Sequence, residues 1–182
     1  MKTTDLFVEL VVIGMGLFIN LLLLCVLLFG YDWLQYDVIP AASLLPVIAV
    51  IYVLGIVFDR CSDNFTRNTD SKIRTSYFSD SKEFLLARDN AFDASDSIKS
   101  LHDYNRSRMR ICRSWFIYWG MMAILAPVAA WLRMPDVYAK KGLMLCSFLL
   151  FALLAFVTRY AWVSLTHGYY SRLYDYWRLH GR

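Results

Sequence analysis

DRCSDNFTRNTDSKIRTSYFSDSKEFLLARDNAFDASDSIKSLHDYNRSRMRICR, residues 59–113, decides how this chain is built. It separates the second from the third of four apolar blocks and carries eleven of the nineteen lysines and arginines. Outward from it, the blocks cover residues 6–29, 38–58, 115–132 and 143–162. Each is roughly 18–24 residues long, the length a helix needs to cross about 30 Å of hydrocarbon at ~1.5 Å per residue. A buried soluble helix needs no such uninterrupted run. With 58% hydrophobic residues and a mean hydropathy of +0.42, the chain is read as all-α, a bundle of four transmembrane helices. The first block is read as a membrane helix and not a cleaved leader. Only Lys2 precedes it, offset by Asp5 and Glu9, its apolar run is too long, and no small-x-small site follows Phe29.

Orientation follows from the loops, because lysine and arginine accumulate on the cytoplasmic side. The link 30–37 carries neither, the link 133–141 carries Arg133, Lys140 and Lys141, and the segment 59–113 carries eleven. Both termini and the long segment are therefore expected in the cytoplasm. The organisation expected is a first hairpin (1–58), a cytoplasmic connector and amphipathic helix (59–113), a second hairpin (114–163) and an aromatic, basic tail (164–182). Trp33, Trp115, Trp119, Trp131 and Trp162 fall near the membrane interfaces.

Residues 59–79 are polar and broken, and read as a connector. From Ser79 or Asp80, with Glu83 in the first turn, a capped helix is expected. Phe84, Ala87, Ala91, Ala94, Ile98 and Leu101 recur at spacings of three and four, while Asp89, Asp93, Asp96 and Asp103 recur opposite them. No proline or glycine interrupts residues 80–119, so this helix is expected to continue into the third membrane helix as one rod. Arg106, Arg108, Arg110 and Arg113 would face lipid headgroups, and the net charge of +4 then needs no nucleic acid. The apolar stripe with Phe84, Ala91, Ile98 and Leu101, and the acidic face with Asp89, Asp93 and Asp96, form the expected contact surface for a partner or a second copy. The tail, with Tyr169, Tyr170, Tyr174, Tyr176 and Trp177, is an alternative cover for the stripe.

Catalytic chemistry finds little support. Asp89, Asp93 and Asp96 could hold Mg²⁺, but no second matching carboxylate set accompanies them, and a solvated helix face explains them. Cys25, Cys61, Cys112 and Cys146 form no C-x-x-C pair, and neither short link holds a cysteine, which argues against membrane thiol oxidoreductase chemistry. His102, His167 and His180 show no zinc-ligand spacing with them. No cofactor or metal is expected. Within the apolar blocks, Glu9 and Arg159 are the ionisable residues, at similar depth, and are expected to pair between helices one and four. Asn20 is expected to make an interhelical hydrogen bond. Gly14, Gly16 and Gly55 permit close helix approach, and Pro40, Pro46 and Pro127 are expected to kink their helices.

Three functions compete on this reading: an oligomeric membrane subunit whose cytoplasmic part anchors or senses for a soluble partner, a small oligomeric channel or depolarising pore, and, least supported, a membrane enzyme. In size, helix count, orientation and the cytoplasmic segment 59–113, the chain resembles the compact four-helix membrane proteins of bacterial antiphage defence, such as the membrane subunit of the Kiwa system. The resemblance implies a homo-oligomer in the bacterial inner membrane with a cytoplasmic partner that acts on phage infection.

Overall fold

The computed structural model describes residues 3–31, 44–94, 96–135 and 139–180, and every element among them is a helix: α1 (Thr3–Phe29), α2 (Leu44–Thr75), α3 (Ser81–Ala94), α4 (Asp96–Arg133) and α5 (Lys140–His180). Four of these, all but α3, are long and apolar enough to cross a membrane. By composition the chain is a multi-pass membrane protein. Residues 59–113 gather at one end of the bundle, its charged end.

The helices meet unevenly. α1 packs on α2 and on α4, and α5 lies along α4. α1 and α2 touch backbone to backbone, because a methyl group on Gly14 would overlap the Ile51 carbonyl, and one on Gly55 would overlap the Leu10 carbonyl. Small residues that let helix backbones close together gain the dispersion contacts that drive association where lipid removes the hydrophobic effect. On the α4 side, Gly16 leaves room for the ring of Tyr118, which is fully buried and stacks on Phe58 with centroids 4.2 Å apart. Contacts between α4 and α5 step antiparallel from His102–Tyr169 through Thr166–Met109 to Trp119–Phe151.

At the far end, Arg133 of α4 closes α1. Its Nε and Nη2 donate to the Leu27 carbonyl at 2.9 and 2.7 Å, and Nη2 also donates to Leu28. These are carbonyls that a helix terminus leaves without partners of its own. Gly30, at φ +84°, turns the chain out of the helix there. Lys140 is likewise used locally, donating to the Met134 carbonyl at 3.0 Å.

Three sequence expectations change. The segment after residue 58 is not a connector up to residue 79, since α2 stays helical to Thr75. Loss of apolar character marks the edge of the membrane block, and it does not end a helix whose next turns carry Asp59, Asp63 and Asp70 against α4. Nor do α3 and α4 form one rod. Phe92 and His102 would lie about 15 Å apart along a straight helix, yet their ring centroids are 4.7 Å apart. α3 ends at Ala94, α4 starts at Asp96 and the two helices run back on each other; the sequence there is rich in aspartate and serine, residue types that compete with the helical backbone. Pro46 falls in the first turn of α2, where a missing N–H costs no helical bond. Pro127 lies inside α4, and Pro40 lies outside the described residues. The start of α3 is as expected: Phe84 N–H donates to the Asp80 carbonyl at 3.2 Å, and Glu83 accepts from Ser79 N–H at 3.0 Å, a variant of the capping box.

Candidate functional site: an ion cluster beneath an aromatic head

The charged end has two layers. The lower is an ion cluster joining three helices. On α2, Asp59 and Asp63 are four residues apart and Asp70 follows two turns later, so all three project toward α4. On α4, Arg110 and Arg113 are three apart and return that direction. Arg110 Nε and Nη2 donate to the two oxygens of Asp59 at 3.1 and 2.8 Å. Its Nη1 lies 3.0 Å from Glu9 Oε1 on α1. Arg113 donates from Nη1 to Asp63 at 2.6 Å and from Nη2 to Asp59 at 3.4 Å, and Asp70 lies 3.9 Å from Nη1. The Glu9 side chain is only 1% exposed. A carboxylate so buried stays ionised only beside a compensating charge, and removing one partner of such a pair costs about 3–5 kcal/mol. Beside the cluster, Ser62 and Ser114 hydroxyls lie 3.3 Å apart.

The upper layer is an aromatic core. Phe78, Ala87, Ala91 and Leu173 are buried together, with Phe84, Tyr170, Tyr174 and Trp177 packed around them. The tail end of α5 therefore covers the stripe of α3. Tyr77, in the turn between α2 and α3, lies with its hydroxyl 3.2 Å from His167 Nδ1. His102 sits between Phe92 and Tyr169, with ring centroids 4.7 and 4.9 Å away.

Several expected site residues land elsewhere. Glu9 pairs with Arg110 and not with Arg159. The two match in depth but not in direction, because α4 stands between α1 and α5. Arg159 is exposed on α5, its guanidinium 5.8 Å from the Phe116 ring centre. Arg110 and Arg113 turn to the carboxylates of Glu9, Asp59 and Asp63 instead of standing free at the membrane edge. Arg108 lies over the Tyr104 ring at 4.0 Å, and Arg106 lines a cleft above the cluster. Asn20 is buried, but its Nδ2 donates to the Gly16 carbonyl of its own helix at 2.9 Å, so the expected interhelical bond is replaced by one within α1. Trp162 is buried and lines the same cleft. Ala91 is inaccessible to a partner, Phe84 is half-buried, and Leu101 and Asp89 remain exposed. The side chains of Asp93, Asp96 and Ile98 lie outside the described residues.

Among the described residues the carboxylates that converge are Glu9, Asp59, Asp63 and Asp70. The spacing of the three aspartates was visible in the sequence, but reading 59–79 as a connector removed the helix that gives it meaning. Among the described residues no group of three or more histidines, cysteines and acids is placed to hold a metal ion, and the four cysteines are free thiols. The cluster's guanidinium–carboxylate pairs serve to join helices. No family model, curated protein or solved structure matches the chain, so its function is argued from its own residues.

Proposed function

We propose that the protein is a membrane-anchored assembly subunit, an oligomer in a bacterial inner membrane whose helical head faces the cytoplasm and docks a soluble protein. Antiphage defence is the setting that the four-helix plan suggests. The observation that supports the docking role is the outward face of α3. With Phe84, Ala87 and Ala91 used against α5, the helix turns Lys82, Leu85, Leu86, Asp89 and Asn90 to solvent. Leu85 is 44% and Leu86 57% exposed, and both lie beyond the apolar blocks, where no lipid covers them. Two adjacent leucines flanked by Lys82 and by Asp89, which pairs with Arg88 at 2.9 Å, fit a partner presenting an apolar groove with a polar rim. The pore alternative has less support, since Glu9 is neutralised in a structural cluster and Arg159 lies on the outer surface of α5.

Co-purification from detergent extracts with the products of neighbouring genes tests this reading. The double substitution Leu85→Asp, Leu86→Asp should abolish recovery of the partner, and Asp89→Lys should weaken it. Both variants should keep normal yield and melting temperature, because neither face packs inside the protein. Undiminished partner recovery by the double variant contradicts the assignment.

A further inference from the structure

Above the ion cluster, all four membrane helices line a cleft of about 450 Å³. Its apolar lining is Leu6, Leu10, Ile56 and Trp162, of which Leu6 and Ile56 are exposed. Its polar lining carries charges of both signs, Arg60, Arg106 and Arg113 together with Asp63 and Asp70, closed by Tyr169 and Tyr170. The cleft thus lies where the ends of the first, second and fourth apolar blocks meet the charged segment.

Bonding capacity is left over on both signs. The Arg113 side chain is 9% exposed, yet its Nε has no hydrogen-bond partner among the described residues. Asp70 reaches Arg113 only at 3.9 Å, and Asp63 is more than half exposed. A purely anionic headgroup would gain the arginines but would be set beside three carboxylates, Asp59 included. A zwitterion satisfies both. A primary ammonium donates up to three hydrogen bonds, which suits carboxylates that still have lone pairs to offer.

We propose that this cleft binds the headgroup of a phosphoethanolamine lipid, its phosphate toward Arg106 and Arg113 and its ammonium toward Asp63 and Asp70, with the acyl chains leaving along the exposed Leu6 and Ile56. The apolar wall selects a lipid over a free zwitterion, because a soluble headgroup would leave it wet. A bound lipid would bridge α1, α2, α4 and α5, and stabilise the fold by linkage.

The test uses full-length protein, delipidated in detergent, followed by native mass spectrometry and thermal unfolding. Phosphatidylethanolamine should be retained and should raise the melting temperature more than phosphatidylglycerol or phosphatidylcholine. Glycerophosphoethanolamine, the headgroup without chains, should do neither. Arg106→Gln and Asp70→Asn should each weaken phosphatidylethanolamine binding about tenfold, while Arg159→Gln, outside the cleft, should not. Loss of preference for phosphatidylethanolamine over phosphatidylglycerol within one variant is a readout that general destabilisation does not produce. Equal retention of all three lipids by the unmodified protein overturns the proposal. So does glycerophosphoethanolamine matching the lipid, or phosphatidylethanolamine binding unchanged in both cleft variants.

Discussion

The α1–α2–α4 unit and α5 hold to the molecule by different physics. In the first, two glycines bring backbones into contact, Tyr118 fills the gap to α4, and a buried ion cluster ties the three helices at the charged end. In the second, only 6% of the most apolar stretch of α5 is buried, against 28% in α1. α5 rests along α4 through the membrane and is secured beyond it, where Leu173 enters the aromatic core with Phe78 and Ala87. Three helices are joined by fully buried contacts, and the fourth lies along α4 with its buried anchor in the head. Directional polar contacts and steric exclusion specify the first arrangement. Ordinary hydrophobic burial in water, available only to the head, specifies the second.

Substitutions should divide along that line. Gly55→Leu is expected to have the largest effect, more than about 4 kcal/mol, because its side chain would have to occupy the space of the Leu10 backbone. Unfolding in a denaturing-detergent titration reads this, and a near-normal midpoint would mean that α1 and α2 do not cross there. On α5, Leu153→Ala should fall within about 0.5 kcal/mol of the unmodified protein, since Leu153 is exposed to lipid. A large loss at Leu153 would place a protein surface, such as a second copy, against that face.

Much of the frame was legible in the sequence. Long apolar runs give the four spans without any periodicity, and Gly14 and Gly55 sit at the close approach that glycine permits, whereas Gly120 faces open space. The capped start of α3 is a local signal and reads locally. What was hidden depends on azimuth and on distant pairing. Four arginines before an apolar block look alike in sequence, yet Arg110 and Arg113 point inward while Arg108 lies over Tyr104. Only the rotation of α4 against α2 distinguishes them, and that is set by packing 51 residues away in the chain. Glu9 and Arg159 show the same limit, since depth follows from counting residues and neighbourhood does not. The break between α3 and α4 carries no proline or glycine signal, only aspartates and serines, which are weaker helix breakers.

The central claim is that Glu9, Asp59 and Arg110 form one energetic unit joining α1, α2 and α4. A double-mutant cycle between Glu9→Gln and Arg110→Met, measured by denaturing-detergent unfolding of the full chain, tests it most directly. Arg110→Met alone should cost about 3–5 kcal/mol, because it strands the buried Glu9 and leaves Asp59 only its 3.4 Å contact with Arg113. Glu9→Gln in that background should cost less than it does alone, with a coupling above about 1 kcal/mol. The parallel cycle between Glu9→Gln and Arg159→Met should be additive within about 0.5 kcal/mol. Additivity in the first cycle with coupling in the second would contradict the account and return Glu9 to a partner on α5.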